Sequence, residues 1–330
     1  NAKLNGVVTH KLFTDFIVDA DIGLNKTLIQ DTKKGDNELY YGRVFASGLV
    51  KMKGPYEELV LSTPEIKSEK GTHIIIPLDS EEGLTKADFI KFIDSDEIEN
   101  KFDIQTAKDN VDITGITLLL NMNITEEALI DIVFDEKSGD KLSGRGKGLL
   151  LVDMNAEGSF NMYGNYEILK GNYTFSMLNL LNKSFDITEG SMIRWDGDPY
   201  KGTMDLEATY RVMTNMVPII TDTAFLNSHS DVKRPSPVDV SLGMTGNIMT
   251  PDIKFNIKLK EYPNYIEVEQ AVLDFESRIK YNEQELNKQV FSLIILKKLS
   301  PLDDFNMNLS STAGASVSEV FTSQLGYMLS

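Results

Sequence analysis

The sequence predicts a mainly β protein, in which a long antiparallel-rich sheet is followed by amphipathic helices at the C-terminal end. Three observations predict it. Up to about residue 263, apolar and polar residues alternate with the two-residue period of half-buried strands. Gly, Asn, Asp and Pro residues separate these segments as turns would. After Pro263 the apolar residues take the spacing of a helix that buries one face.

Composition excludes several classes of function. The 330 residues carry a formal net charge of −17, which repels phosphate backbones and predicts no nucleic-acid partner. There are no cysteines, so disulfides and Cys-ligated metals are excluded. The longest apolar stretch, residues 291–296, is far shorter than the roughly 20 residues of a membrane-spanning helix. We therefore expect no transmembrane segment in this chain. Because the chain begins at Asn1 without a leader, we expect a processed product or an excised fragment.

The clearest strand is TMDLEATYRV, residues 203–212, in which every even-numbered residue is apolar and every odd-numbered one is polar. Residues 238–248 and 252–260 repeat this alternation, and a turn at Thr250–Pro251 between them predicts a hairpin. Within residues 160–177 the apolar phase reverses at Lys170–Gly171, which predicts another turn because a one-residue shift moves side chains to the other face.

Few helices are predicted within the β region. Residues 85–93 form one candidate and residues 125–130 a weaker one. Two short helices are too little to cover a long sheet. Its apolar faces must therefore meet each other, as in a sandwich or barrel, or face a molecule that is not part of this chain. The alternation does not choose between these arrangements.

The C-terminal residues predict three helices. The first has an apolar stripe from Val268 to Ile279. The second runs from Glu283 to about Leu299, with Asn282 as its N-cap. The third follows a capping box that begins at Ser316.

Residues that could support catalysis do not form a recognisable pattern. Residues 138–148 resemble a phosphate-binding loop but lack its Lys and Ser/Thr, so we expect a mobile turn. Asp196 and Asp198 could bind Ca²⁺, but no further carboxylates follow at loop spacing. We therefore expect no enzyme, no metal and no cofactor. An all-β carbohydrate-processing enzyme would need paired carboxylates in a cleft, and the sequence leaves that alternative open.

Residues 147–212 resemble the TamB C-terminal domain family of Gram-negative bacteria, the translocation and assembly module family within the AsmA-like superfamily. The similarity rests on GNYEILKGNYTF at residues 164–175, on FDITEGSMIRWDGDPY at residues 185–200 and on the alternating strand that follows. Residues 42–78 and 285–301 are also similar to the family. The resemblance therefore touches most of the chain.

The resemblance implies a β-taco, a long sheet folded into a trough with an apolar lining, over residues 1–265. Residues 266–330 would form a helical docking or capping segment. It also implies a periplasmic bridge that carries phospholipid between the inner and outer membranes through an apolar groove. The C-terminal end would engage a TamA-like outer-membrane β-barrel, and the inner-membrane anchor would lie outside this chain. The alternative is an assembly scaffold for outer-membrane protein insertion or secretion that acts by strand-edge pairing.

The residues expected to contact phospholipid acyl chains are the in-phase apolar residues of these strands. They are Leu150, Val152, Met154, Phe160, Met162, Phe175, Met177, Phe185, Ile187, Met204, Leu206, Tyr210, Val240, Leu242, Met244, Phe255, Ile257 and Leu259. The candidate partner contacts are Phe291, Leu293, Ile294, Leu296 and Trp195. The alternative for both sets is ordinary core packing. If the trough is open, Arg in place of Leu206 or Phe255 should abolish lipid transfer and leave the sheet folded.

Overall fold

The computed structural model describes residues 1–36, 40–78, 116–157, 159–177 and 181–302. Within these residues, fourteen strands are hydrogen-bonded into one sheet. Strands account for 60% of the structure and helices for 18%, and the longer helices lie at the C-terminal end. The prediction of a mainly β fold with a large sheet is therefore confirmed. The predicted helices at residues 85–93 and after Ser316 lie outside the described residues.

The strands follow the alternating segments of the sequence. Their bounds are β1 Ala2–Lys11, β2 Thr14–Thr32, β3 Tyr41–Pro55, β4 Leu59–Ser68, β5 His73–Pro77, β6 Ile116–Ile124, β7 Leu129–Asp135, β8 Asp140–Met154, β9 Phe160–Met177, β10 Leu181–Ile187, β11 Ser191–Gly197, β12 Thr203–Thr214, β13 Ser236–Asn247 and β14 Asp252–Leu259. Most neighbouring strands are antiparallel, as in β1–β2 and β13–β14, whereas β4–β6 and β5–β7 are parallel pairs.

Contacts between Cα atoms divide the chain into two compact units. Unit 1 comprises residues 1–166 and 195–200. Its strand order is β1-β2-β3-β4-β6-β8, followed by the first part of β9, and β5 and β7 pair with each other as well as with β3 and β8. Cross-strand pairing therefore makes unit 1 a continuous sheet.

Unit 2 comprises residues 167–194 and 201–330. Its strand order is β9-β10-β12-β13-β14, and β11 pairs with both β12 and β9. Between β12 and β13 the chain forms a short helix, α1 (Thr223–Ser228), flanked by two 3₁₀ turns. The sequence pattern did not indicate this helix. It is six residues long, which is too short to show a helical period.

The predicted hairpin of β13 and β14 is confirmed. The two strands pair from Val238 with Leu259 to Thr245 with Asp252. The amide N–H of Thr250 donates to the carbonyl of Asn247 in the connecting turn.

The predicted turn at Lys170–Gly171 is wrong, because β9 continues through it as an 18-residue strand. Tyr166 and Ile168 are buried on one phase before this point, and Tyr173 and Phe175 are buried on the other phase after it. The phase reversal therefore reflects a continuous strand whose buried face changes between Ile168 and Tyr173.

Two further predictions in unit 1 are wrong. Residues 125–128 form a turn, in which Ala128 N–H donates to the Thr125 carbonyl, and β7 follows at once. The helix candidate at residues 125–130 is therefore absent. The mobile turn expected at residues 138–148 is also wrong for residues 140–148, which belong to β8. Glycines in this segment, such as Gly148, let the neighbouring strand approach closely.

The C-terminal helices are α2 (Ile266–Tyr281) and α3 (Glu283–Phe291), followed by a π-helical turn, Ser292–Leu296. The Asn282 side chain accepts a hydrogen bond from Glu285 N–H at 3.1 Å, which confirms the predicted N-cap. Helical structure ends at Leu296, three residues before the predicted Leu299, and Lys297 takes a left-handed φ of 54° there. The apolar stripe of α2 is buried, from Val268 to Ile279.

Candidate functional site

Unit 1 carries an apolar sheet face. Residues paired directly across neighbouring strands project from the same face, so each row of pairs forms a rung of side chains. One rung is Gly6, Ala20, Met52, Leu61, Leu118 and Met154. A second rung is Ala2, Leu24, Gly48, Ile66, Met122 and Leu150. A shorter rung between them is Leu4, Ile22 and Val50. These three rungs contain no polar side chain.

The opposite face of the same strands is largely polar. Its corresponding rung is Asn5, Asp21, Lys51, Ser62, Leu119 and Asp153. On the next rung, the Nζ of Lys53 lies 3.2 Å from a carboxylate oxygen of Asp19. Unit 1 is therefore a two-faced sheet, with water on its polar face and apolar side chains on the other.

The two ends of the apolar face of unit 1 differ in exposure. Leu4 in β1 is 67% exposed, whereas Met154 in β8 is 5% exposed. Between them, Ile22, Val50 and Met52 are half-buried. The β1–β3 part of this face is therefore accessible to an apolar ligand, and the β8 part is mostly covered by the chain itself.

The structure brings five predicted lining residues together on this face. Leu150, Val152 and Met154 lie on it in β8 and are buried. Gly164 of β9 lies opposite Leu150 of β8, since a Cβ built on Gly164 would be 3.2 Å from the Leu150 Cα. That register puts two half-buried residues of β9, Phe160 and Met162, opposite Met154 and Val152.

The predicted set missed the more exposed part of the face. Those residues are Leu4, Ile22, Leu24, Val50, Met52, Leu61, Leu118 and Met122. The signal was present in β2, where Val18, Ala20, Ile22 and Leu24 alternate with Asp19, Asp21 and Gly23. Reading the same period through β2 would have found it.

The remaining predicted lining residues lie in unit 2, where the apolar face is sealed. Apart from Tyr210, which is half-buried, and Met177, whose side chain is outside the described set, all of them are buried. These buried residues are Phe175, Phe185, Ile187, Met204, Leu206, Val240, Leu242, Met244, Phe255, Ile257 and Leu259. They contact the chain's own side chains.

Contacts between aromatic rings show how unit 2 is sealed. Phe175 in β9 and Phe255 in β14 belong to the first and last strands of its order, yet their ring centroids lie 5.8 Å apart, nearly perpendicular. Four steps between strands would separate them by roughly 19 Å in a flat sheet. The sheet of unit 2 therefore folds over, so that its ends meet. Phe175 also packs edge-on against Phe185 at 6.2 Å.

This packing changes the expectation for charge in unit 2. Leu206 is 1% exposed and Phe255 is 7% exposed. An Arg at either position would be an unpaired charge inside a packed core, which is strongly destabilising. The burial of Leu206 and Phe255 therefore argues against the expectation that the sheet tolerates Arg at these two positions, and it favours the closed-core alternative for unit 2.

The candidate partner contacts also include buried and exposed residues. Leu293 and Ile294 are fully buried, so ordinary core packing describes them. Phe291 is half-buried, and Leu296 is 58% exposed at the end of the π-helical turn. Trp195 is buried, and its indole N–H donates to the Pro199 carbonyl at 3.1 Å. Of these five residues, Leu296 offers the largest exposed apolar surface.

One carboxylate of unit 2, that of Asp239, has a strongly lowered pKa. Arg211 donates two hydrogen bonds to Asp239, at 2.6 and 2.9 Å, and the Lys260 Nζ lies 2.9 Å from Asp239. The hydrogen bond from Arg211 outweighs the opposing effect of desolvation and lowers the pKa of Asp239 to about 2. These contacts join β12 to β13 and keep the Asp239 carboxylate ionised. We call them the ion-pair clamp.

Unit 1 contains a His, an Asp and a Ser in contact. The Nε2 of His73 lies 3.0 Å from Asp131, and the Ser143 hydroxyl donates to the other oxygen of the same carboxylate. The hydroxyl therefore faces the carboxylate rather than the imidazole. A Ser nucleophile needs its hydroxyl beside the imidazole, so this arrangement is not that of a Ser–His–Asp triad.

Comparisons with known proteins identify the family of this chain. Among the described residues, no helix is long and apolar enough to cross a membrane. A search of curated proteins found no match. The family model of the TamB C-terminal domain matches residues 1–330. TamB is an envelope protein of Gram-negative bacteria that works with TamA in the translocation and assembly module. The chain therefore belongs to the TamB C-terminal domain family, which acts in outer-membrane protein assembly.

Proposed function

We propose that this protein is a periplasmic bridge that carries phospholipid between the inner and outer membranes. The acyl chains lie on the apolar face of unit 1, and the C-terminal end engages a TamA-like outer-membrane β-barrel. The observation that carries the proposal is the pair of rungs that cross six strands without a polar side chain, next to a polar rung on the opposite face.

The size of this face suits an acyl chain. Six strands at a spacing of about 4.8 Å extend the face by roughly 24 Å. One leaflet of a bilayer core is about 15 Å deep, so the face is long enough for a chain drawn from one leaflet. Half-buried side chains such as Val50 and Met52 leave apolar surface for that chain to cover.

Shielding alone provides the transport function in this proposal, without a catalytic group. Each buried methylene is worth about 0.8 kcal/mol, so exposing a 16-carbon chain to water costs on the order of 12 kcal/mol. A face that covers half of the chain would lower that cost by about 6 kcal/mol, which corresponds to roughly four orders of magnitude in rate.

Photo-crosslinking at neighbouring positions tests the proposal. A benzophenone amino acid is placed at Val50 on the apolar face or at Lys51 on the polar face, and the purified chain is incubated with phospholipid. We expect lipid adducts in the mass spectrum at position 50 and few at position 51. Equal labelling at both positions, or none at position 50, would contradict the proposal.

A charge on each face provides a second test. Met52→Arg places a cation on the half-buried apolar face, from which its long side chain can reach water. We expect a folded protein that retains far less co-purified lipid in native mass spectrometry. Val60→Arg is the matched control, because Val60 is 40% exposed on the polar face. If both variants retain the wild-type amount of lipid, the apolar face does not carry it.

The second candidate function, an assembly scaffold, is supported by the family's role in outer-membrane protein assembly, and strand pairing can be tested at β1. All ten residues of β1 are exposed, and among the described strands β1 pairs with β2 alone. Asn1 and Asn25 exchange both backbone hydrogen bonds, and hydrogen-bonded pairs recur at every second residue of an antiparallel strand. The backbone N–H groups of odd-numbered β1 residues therefore point towards β2. The N–H groups of even-numbered residues, such as Val8, point away from β2. Val8→Pro removes one of these donors. If the edge pairs with outer-membrane protein strands, Val8→Pro weakens their capture and Val8→Ala does not.

A further inference from the structure

The turn between β1 and β2 exposes two large apolar side chains. Leu12 and Phe13 connect the paired residues Lys11 and Thr14, and their side chains are 89% and 80% exposed. Their φ angles are 52° and 64°, so both residues have the left-handed conformation of the two central positions of a type I′ turn.

Neither residue suits this position for folding. Type I′ turns strongly prefer Asn-Gly or Asp-Gly, because a bulky side chain in the left-handed region is strained. Exposure of Leu and Phe to water adds no stability either. Residues that oppose local conformational preference at an exposed place are typical of functional surfaces.

The turn is nevertheless held in one conformation. The Thr14 hydroxyl donates to the Lys11 carbonyl at 2.6 Å, and Phe13 N–H donates to Nδ1 of His10 at 3.1 Å. The His10 ring stacks on Phe13 with centroids 4.7 Å apart. The Phe13 ring is therefore presented from a preorganised turn.

The neighbouring β3–β4 turn enlarges this surface. Tyr56 N–H donates to the Phe16 carbonyl at 3.0 Å, and the Tyr56 side chain is 77% exposed. Phe16, whose ring lies 5.6 Å from that of His10, is 41% exposed. We name Leu12, Phe13, Phe16 and Tyr56 the apolar tip.

Charges beside the apolar tip favour one kind of partner. Three exposed carboxylates, Asp15, Glu57 and Glu58, lie in these two turns with one lysine, Lys11. An anionic membrane would be repelled by this excess of carboxylates. The ammonium group of a zwitterionic lipid would instead meet carboxylates and aromatic ring faces, both of which attract cations. Leu12 and Phe13 are shaped to enter the acyl region below the headgroups.

We propose that the apolar tip inserts Leu12 and Phe13 into the surface of a bilayer of zwitterionic phospholipid. This contact differs from the transport of acyl chains on the apolar face of unit 1. It involves the turns at the ends of the strands, and it would bring unit 1 to a membrane surface whether or not that face carries lipid.

Vesicle sedimentation with a turn-optimised variant tests the proposal. The complete 330-residue chain is mixed with sucrose-loaded phosphatidylcholine vesicles. Leu12→Asn with Phe13→Gly gives the turn its preferred residues, so the unfolding temperature should stay the same or rise. Vesicle binding should fall by about a hundredfold, since full burial of each side chain is worth roughly ten- to a hundredfold in affinity. Leu149→Ser is the matched control, because Leu149 is a 70% exposed leucine on the polar face of unit 1.

The outcomes are distinct. Loss of binding in the Asn-Gly variant, with unchanged stability and normal binding by the Leu149→Ser control, supports the proposal. It is overturned if the wild-type chain does not sediment with these vesicles, or if the Asn-Gly variant still does. It is also overturned if light scattering shows that the tip joins two copies of the chain and vesicles have no effect. Crosslinking at Val50 is measured separately, so failure of lipid transport and failure of membrane contact are distinguishable.

Discussion

Phe175→Ala tests whether unit 2 is sealed by its own side chains. Phe175 is 2% exposed and packs edge-on against both Phe185 and Phe255. Truncation of a buried Phe to Ala costs about 3–5 kcal/mol, because it loses the burial of the ring and leaves a cavity. This range includes the energy lost with the two aromatic ring contacts. We therefore expect Phe175→Ala to destabilise unit 2 by about 4 kcal/mol.

Hydrogen exchange followed by mass spectrometry measures this effect locally. If the amides of β12 to β14 exchange through unfolding of unit 2, a loss of about 4 kcal/mol accelerates their exchange by roughly 10³-fold. Phe45→Ala is the matched control, since Phe45 is half-buried in unit 1 and should leave these amides unchanged. Less than tenfold acceleration in Phe175→Ala would refute the conclusion that unit 2 is tightly packed, and would make its apolar face available to a ligand.

Three further predictions concern other parts of the chain. Asp239→Asn removes the ion pairs with Arg211 and Lys260, which should lower stability by about 1–2 kcal/mol, a small value because Arg211 is partly exposed. This stabilisation is present above pH 4 and is lost as the pH falls towards 2, and urea titrations at several pH values measure it. Gly164→Ala places a Cβ 2.1 Å from the Leu149 carbonyl at a φ of 125°, which should cost roughly 2 kcal/mol or more in thermal unfolding. Gln289→Ala removes the two hydrogen bonds between the Gln289 side chain and the Ser300 backbone and should accelerate amide exchange at Ser300 about tenfold or more.

Each of these three predictions has a contradicting result. A stability difference between wild type and Asp239→Asn that stays constant from pH 7 to pH 2 would mean that the carboxylate is not held by its cations. An unchanged unfolding temperature in Gly164→Ala would mean that β8 and β9 can move apart without cost. Unchanged exchange near residue 300 would mean that Gln289 does not hold this part of the chain.

Local chemistry is what the sequence predicted well. The two-residue period identified β12, β13 and β14 with their hairpin turn, because alternation records which side of a strand is apolar. The Asn282 cap was also predictable, since capping depends on residues within one helical turn. Predictions failed where a pattern had two local interpretations, as at Lys170–Gly171, where a change of phase in a continuous strand resembles a turn.

The sequence by itself determined that long stretches of this chain are strands with one apolar face. It did not determine whether that face is open. Ile22 in β2 and Leu206 in β12 both lie in segments of alternating apolar and polar residues, yet Ile22 is half-buried and Leu206 is buried. Only the tertiary structure decided this difference. Alternation is set by neighbouring residues, whereas closure depends on which distant strands meet, as Phe175 and Phe255 do across 80 residues of chain.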